Sequence, residues 1–230
     1  MTVLQLADEG EAADLAAFLS RLLHYDRGAA VRLQAAGTAL AVFGRPPSFE
    51  VLAIRAVRLA KPYENGLDVT LDVTVSAGEL LESVDESAAT AGVPAAVTGP
   101  PWTGVLPPRG GWRQEPGLPA PDALHALVGA AVAEFRSRTG ELPPERRTRA
   151  ELDRIGRDIW SRTVGDTGLP VRAVHAAQSL GFLRGLADAP AQDQPPVGLF
   201  SSGAWLRLRT PFGSIAVRRA GLGALDVSVR

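Results

Sequence analysis

The feature that most constrains this fold is the similarity between two strand-rich stretches, residues 29–75 and 197–229. In each stretch apolar residues alternate with polar ones, a turn glycine follows, and a Leu-Asp-Val motif with Thr or Ser lies near the end. The turn glycines are Gly37 and Gly203, and the alternation is typical of strands with one buried face. The pattern predicts an internal duplication, in which each copy forms an antiparallel sheet of about four strands.

A helix precedes each of the two predicted sheets. The first helix begins after Asp8, which can cap it, and its apolar residues recur at helical spacing. These residues are Leu15, Phe18, Leu19 and Leu22. Because an antiparallel sheet commonly buries one face, each helix is expected to cover its own sheet. The sequence therefore predicts an α+β fold of two lobes, each a sheet packed on helices, with a helical segment between them and a site or partner surface where they meet.

The chain divides at a segment rich in proline and glycine. Residues 89–121 contain eight prolines and six glycines, so little regular structure is expected there. The segment also carries Trp102 and Trp112, and indole rings tend to pack on a surface. It is either a strap that covers a ligand or binds a partner, or a tether packed on its own domain. The predicted organisation is an N-terminal α+β lobe over residues 1–88, this linker or strap over 89–121, and a C-terminal lobe of three helices and a β-hairpin over 122–230.

Several common chemistries are missing from the sequence. The chain has no cysteine, which excludes disulfides, thiolate nucleophiles and cysteine-ligated zinc or iron–sulfur sites. Its three histidines lie far apart, and no nucleophile elbow, phosphate-binding loop or dinucleotide-binding motif is present. We therefore expect no catalytic residues, no metal and no cofactor, in a protein that is not an enzyme. An enzyme whose site assembles from residues scattered along the chain is the remaining alternative.

Hydropathy and the N-terminal segment bear on location. No apolar run approaches the ~20 residues that are needed to cross a bilayer. The N-terminal segment turns acidic at once and lacks the basic start of a signal peptide. The sequence therefore predicts a cytoplasmic protein that has no membrane partner.

One strand near the C-terminus presents the best candidate binding surface. In the run from Trp205 to Arg209 alternate residues point to opposite faces, so Trp205, Arg207 and Arg209 share one face. Arg218 or Arg219 on the following strand would lie beside them. An indole next to guanidinium groups suits a phosphate, a carboxylate or a stacked base. The alternative is a solvated strand face whose tryptophan is covered by the proline-rich segment.

These features predict a binding or assembly module whose partner is an unknown protein or an anionic ligand. A second hypothesis is a DNA-binding regulator, because three helices and a hairpin in residues 120–219 have the element order of a winged helix-turn-helix domain. Residues 140–230 carry 13 cations and nine anions, against 11 cations and 16 anions in residues 1–139, and a basic half can mark a surface that faces nucleic acid. The third helix would then contact DNA through Arg172, His175, Gln178 and Ser179.

Overall fold

The computed structural model describes residues 2–62, 71–185 and 197–219. In this part of the chain it has five α-helices, eleven β-strands and three short 3₁₀ helices. The α-helices are α1 (Glu9–Tyr25), α2 (Ala77–Glu82), α3 (Pro121–Gly140), α4 (Arg149–Trp160) and α5 (Val171–Ser179). The strands are β1 (Val3–Gln5), β2 (Ala30–Ala36), β3 (Ala39–Gly44), β4 (Leu52–Arg58), β5 (Asp72–Ser76), β6 (Val84–Asp85), β7 (Thr90–Gly92), β8 (Arg113–Glu115), β9 (Gly198–Ser202), β10 (Trp205–Thr210) and β11 (Gly213–Arg218). The 3₁₀ helices span Pro47–Phe49, Pro101–Gly104 and Pro144–Arg146.

Eight of the strands form one antiparallel sheet, in the order β5-β2-β3-β4-β11-β10-β9-β8. The other three form a small sheet in the order β1-β7-β6. The predicted α+β class is confirmed, and four strands of the large sheet come from each half of the chain. The two halves pair with each other through β4 and β11, so that one continuous sheet runs across both lobes.

The two halves of the large sheet have matching hairpins. Strands β2 and β3 turn at Gly37, and strands β9 and β10 turn at Gly203. The two glycines have φ angles of 57° and 53°, a left-handed conformation that glycine adopts without strain. In both hairpins the first strand is flanked on its other side by one further strand, β5 in the first half and β8 in the second. The shared order and turn geometry support the predicted duplication.

The two halves of the large sheet are related by a local pseudo-twofold axis, which passes through one pair of equivalent residues. Counted from the turn glycines, Phe43 and Arg209 are equivalent, and their cross-strand partners are Ile54 and Ser214. Ile54 and Ser214 are also paired with each other in the ladder between β4 and β11. Equivalent residues that pair lie on a local twofold axis, so the sheet is arranged as a pseudo-dimer about this point.

Part of the predicted repeat lies outside the described residues. The two Leu-Asp-Val motifs, residues 67–69 and 225–227, both fall there. In the structure β9 is flanked on its outer side by β8 from the proline-rich segment. The expectation of little regular structure is wrong for residues 113–115, which form β8. These three residues lie between prolines, and they keep the backbone amides that pair with β9.

The helices cover one face of the large sheet. Helix α1 packs on β4 and α5 packs on β11, so each copy is covered by a helix that precedes it. Phe18 on α1 stacks on Phe182, just after α5, with ring centroids 5.7 Å apart. The buried residues of α1 are Ala12, Leu15, Phe18, Leu19 and Leu22, which include the predicted apolar stripe. None of the helices in the described ranges combines the length and apolarity that a membrane crossing requires.

The proline-rich segment, residues 89–121, is here called the strap. Ala91 at its start belongs to the helix-covered core, whereas Trp102 and Leu106 pack on the opposite, outer face of the sheet. A small apolar cluster lies there, formed by Phe43, Leu52, Ile54 and Ala216 with Trp102, Leu106 and Trp205 packed against it. Arg32 anchors the strap, since its Nη1 donates to the carbonyl oxygen of Thr103 at 2.5 Å and its Nε to Asp72 at 2.8 Å. The strap therefore encloses a second, smaller apolar layer.

The hairpin of the C-terminal lobe lies inside the sheet. Strand β11 pairs with β4 on one side of the hairpin, and β10 pairs with β9 on the other. Helix α5 lies flat on the sheet, with Val171, Val174 and Ala177 buried. The element order predicted for residues 120–219 is present, but the described part of those residues forms neither a free wing nor a protruding third helix.

Candidate functional site

One loop breaks the similarity between the two halves. The connection from β3 to β4 spans residues 45–51, whereas the equivalent connection from β10 to β11 spans only residues 211–212. Within this 45–51 loop Phe49 is buried and contacts His175 of α5 edge to face. Glu50 follows with a φ of 53°, a left-handed conformation that is uncommon for a residue with a side chain. The insertion lines two neighbouring cavities.

The first cavity, here called the strap cavity, lies between the strap and the 45–51 loop. Its volume is about 500 Å³. Its lining includes Leu52 and Ala216, which pair in the ladder between β4 and β11 two residues from the pseudo-twofold axis. Two indole rings also line it, those of Trp102 from the strap and Trp205 from β10. A cavity of this size suits a small organic ligand, because such sites commonly have volumes of ~300–1,000 Å³.

The charged lining of the strap cavity is predominantly positive. It consists of Arg45, Arg172 and Arg218 with a single acid, Glu50. None of the three arginines forms an ion pair with any residue that the structure describes. The guanidinium carbon of Arg218 lies 5.7 Å from the centroid of the Trp205 ring, within the range of a cation–π contact. Nε of Arg172 is buried and lacks a hydrogen-bond partner among the described residues. Arg45 and Arg218 are exposed, so their guanidinium groups can supply donors to an anion in the cavity.

The second cavity, here called the helix cavity, lies between the 45–51 loop and helices α3, α4 and α5. Its volume is about 860 Å³. Its aromatic lining residues are Tyr25, Phe49, Phe135, Trp160 and His175. Neighbouring rings in this set have centroids between 4.6 and 6.1 Å apart, so they form a continuous aromatic row.

His175 lies at the centre of the aromatic row. Its ring stacks on Trp160 with centroids 4.6 Å apart and an interplanar angle of 23°. Phe49 meets the same ring edge to face at 5.1 Å. Burial lowers the pKa of His175, because the charged imidazolium loses water that these apolar rings do not replace. The imidazole is therefore held in its neutral form near pH 7 and acts as one more planar ring.

Arginines form the rim of the helix cavity. Arg136 extends from α3, and Arg149 and Arg157 extend from α4. Arg149 approaches Asp153 at 3.9 Å, whereas Arg136 and Arg157 form no ion pair within the described ranges. Arg172 and Glu50 line both cavities, so the strap cavity and the helix cavity meet at these two side chains.

Comparison with protein families divides the chain at the strap. Residues 107–222, half of the chain, match the family described as Domain of unknown function (DUF8185). The chain belongs to the DUF8185 family. Residues 1–104 match a second family, described as Domain of unknown function (DUF8010). No curated protein and no solved structure matches the chain.

The strap cavity is built from both family regions. Arg45, Glu50 and Trp102 come from the DUF8010 region. Arg172, Trp205 and Arg218 come from the DUF8185 region. Because the two halves of the sheet join directly beneath this cavity, the charged and aromatic groups meet only when both regions are folded against each other.

Four residues of the candidate face lie together on the outer face of the sheet. Leu206 and Leu208 of β10 point into the helix-covered core, and Trp205, Arg207 and Arg209 alternate with them. Arg218 joins this face, directly opposite Trp205 in the ladder. Of this set, the strap cavity includes Trp205 and Arg218.

Arg207 and Arg209 lie further along the same face, over other rings. The guanidinium carbon of Arg207 is 5.7 Å from the centroid of Trp112, and that of Arg209 is 4.7 Å from the centroid of Phe200. Burial lowers the pKa of Arg207, and the neighbouring charge of Arg209 lowers it further. These two arginines stack on rings of the protein and do not line the strap cavity.

Arg219 and the two strap tryptophans are separated by the structure. Arg219 donates to Glu115 of β8 at 3.0 Å, on the face opposite to Arg218, because successive residues of a strand point to opposite sides. Trp102 lines the strap cavity, whereas Nε1 of Trp112 donates to the carbonyl oxygen of Pro108 at 2.9 Å. The strap therefore contributes Trp102 to the strap cavity and Trp112 to the neighbouring region of the outer face, where it contacts Arg207.

The four residues proposed to contact DNA do not form one exposed row. Arg172 lines both cavities, and His175 lines the helix cavity. Gln178 is exposed and its Oε1 lies 3.3 Å from Nδ1 of His125, while Ser179 is partly buried at the end of α5. DNA binding through these residues stays an untested prediction.

Sequence reasoning missed Arg45, Glu50 and the aromatic row. A signal for the first two was present, because the 45–51 loop is longer than its counterpart in the second copy. The aromatic row comes from α1, the loop and three different helices, so no local pattern brings its members together. In the described ranges no three histidine, aspartate or glutamate side chains are grouped closely enough to hold a metal ion.

Proposed function

We propose that this protein is a non-enzymatic binding module whose ligand is an organic anion that carries a planar ring, held in the strap cavity. The observation that supports this is the combination of two indole rings with three arginines that lack an acidic partner among the described residues. Arg45 and Arg218 are exposed and Arg172 is partly buried, so their donors are available to a ligand, and a guanidinium can donate two parallel hydrogen bonds to a phosphate or carboxylate.

The ring of the ligand would pack against Trp102 or Trp205. Base-on-aromatic stacking contributes ~1–3 kcal/mol per ring in known complexes, which is enough to favour a ring-bearing anion over a plain one. The charged part of the ligand would face Arg218 and Arg172, and Glu50 would discourage a second negative group close to it. The proposal therefore predicts selection for both charge and ring.

Three related compounds test these two requirements separately. Thymidine monophosphate has a ring and a charge, thymidine has only the ring, and deoxyribose phosphate has only the charge. Titration calorimetry should show the strongest binding for thymidine monophosphate, by about ten-fold over either of the others, since each lost contact costs ~1 kcal/mol or more. Equal binding of all three, or binding of none, would overturn the proposal.

Paired variants locate the site. Trp102→Ala should weaken binding of thymidine monophosphate, whereas Trp112→Ala, in the same strap but outside the cavity, should leave it unchanged. Arg218→Gln should weaken binding in the same way, with Arg113→Gln as an exposed control on β8. Equal effects of Trp102→Ala and Trp112→Ala would place the ligand elsewhere.

Two further predictions from the sequence remain proposals. One is a cytoplasmic location, which imaging of a fluorescent fusion in cells would test. The other is duplex DNA binding by residues 120–219, which should show a steep dependence on salt because phosphate contacts release counterions. If random-sequence duplex DNA does not bind at low salt, or if its binding does not change with salt, the DNA-binding hypothesis is wrong.

A further inference from the structure

The strap cavity and the helix cavity are adjacent and share two charged side chains. Glu50 and Arg172 line both, and the 45–51 loop contributes residues to each. The volumes of about 500 and 860 Å³ are each large enough for one small organic ligand, so the pair has room for more than one unit of a chain-like ligand.

Positive charge runs along both cavities. The arginines that line them are Arg45, Arg136, Arg149, Arg157, Arg172 and Arg218. Only two acids, Glu50 and Asp153, lie among them. The excess of cations is local, because the whole chain has a formal net charge of −1. A groove with this charge favours a ligand with several negative groups spaced along it.

Aromatic rings accompany the arginines through both cavities. Three of the four tryptophans in the chain line them, Trp102 and Trp205 in the strap cavity and Trp160 in the helix cavity. Trp102, Trp160 and Trp205 are all partly exposed, so each has surface that a ligand can reach. Rings that recur along a positive groove are the arrangement by which proteins bind single-stranded nucleic acid, because every base has a face that stacks.

We infer that the two cavities form one groove that binds a short single-stranded oligonucleotide, with successive bases in the strap cavity and the helix cavity. This inference rests on the proposed function, since the strap cavity would take one base-and-phosphate unit of the strand. A single strand is favoured over a duplex because the rings lie within cavities, and a duplex keeps its bases stacked on each other. A single strand is favoured over an acidic peptide because a peptide of carboxylates would leave the rings unused.

A length series of labelled oligothymidylates tests the inference on the full-length chain. Fluorescence anisotropy would follow strands of two, four, six and eight nucleotides, with thymidine monophosphate as an unlabelled competitor. We expect affinity to rise by about five-fold for each nucleotide that enters the groove and then to level off, with a decrease as salt is raised. If thymidine monophosphate binds but longer strands bind no tighter, the inference fails and the proposed function stands. If no strand and no mononucleotide binds, both fail.

Charge variants separate the groove from general attraction. Arg157→Gln on the rim of the helix cavity should weaken binding of the longer strands several-fold and leave thymidine monophosphate unchanged. Arg154→Gln on the same helix, where Arg154 pairs with Glu151 at 2.6 Å outside both cavities, is the matched control. Glu50→Gln removes the acid at the junction and should tighten strand binding a few-fold. Equal effects of Arg157→Gln and Arg154→Gln, tighter binding of duplex than of single strand, or displacement of the strand by polyglutamate at equal charge concentration would each overturn the inference.

Discussion

Arg55 on β4 and Glu11 on α1 form an ion pair, with Nη2 and Oε2 2.8 Å apart and both side chains almost entirely buried. Nη2 of Arg55 also lies 3.2 Å from Asp14, and its Nη1 donates to the carbonyl oxygen of Phe212 at 2.9 Å. Phe212 lies in the turn between β10 and β11, so one guanidinium connects the first helix, the first half of the sheet and the second half.

We expect Arg55→Ala to lower the free energy of unfolding by about 2 kcal/mol or more, because removing one partner leaves buried acceptors without donors. Arg58→Ala is the control, since Arg58 also contacts Glu11 but its side chain is 71% exposed, and an exposed ion pair contributes little. Urea unfolding of the two variants and the parent measures both effects. A loss for Arg55→Ala no larger than that for Arg58→Ala would show that the buried connection does not stabilise the fold.

The turn of the second hairpin depends on glycine at one position. Gly203 has a φ of 53°, and a Cβ built there meets no atom within 4 Å. Gly203→Ala should therefore cost about 1 kcal/mol of stability through backbone strain alone. Gly129→Ala in α3 is the control, because that site is equally open but lies in a helix, where alanine should stabilise by up to about 1 kcal/mol. Opposite signs in thermal unfolding are the expected result, and equal signs would contradict the turn geometry.

The hairpins within each half of the sheet could be predicted from sequence, but the joining of the halves could not. Alternation places Trp205 and Arg207 on one face of β10, and the glycines at 37 and 203 mark the two hairpins, because both features depend on neighbouring residues. The ladder between Ile54 and Ser214 depends on two edges 160 positions apart in sequence. The local sequence pattern carries no information about which two strand edges pair.

The candidate site was foreseen only in part for the same reason. Trp205 and Arg218 could be expected to lie side by side, since they belong to one hairpin. Their approach to Trp102 requires the strap to cross the outer face, and their approach to Arg45 requires the two halves to join. Each of these contacts is set by packing between distant segments, and the bulky indole of Trp102 fits only where both halves supply apolar neighbours.

The stability of the fold should depend on pH through His175. Burial lowers the pKa of His175 below its ordinary value of 6.5, so at acidic pH the unfolded chain binds a proton more readily than the folded protein. The contribution of His175 to stability is therefore complete above pH 6.5 and declines as the pH falls from there through the lower pKa of the folded state. Urea midpoints between pH 7.5 and 4.5 should fall less steeply for His175→Gln than for the parent. Identical pH profiles for His175→Gln and the parent would show that His175 does not titrate differently on folding.

Arg207 tests whether a charge under the strap stabilises the fold. Its Nε is buried without a hydrogen-bond partner among the described residues, and both burial and the charge of Arg209 lower its pKa. The charged form is therefore disfavoured at this position, and the contact with the Trp112 ring offsets part of that cost. Arg207→Met keeps the length of the side chain and its contact with the ring but removes the charge, so we expect the free energy of unfolding to stay the same or rise by up to about 1 kcal/mol. Arg113→Met on the exposed edge strand is the control for the added thioether. A clear loss of stability in urea unfolding for Arg207→Met alone would show that the cation on the Trp112 ring stabilises the strap more than its burial destabilises it.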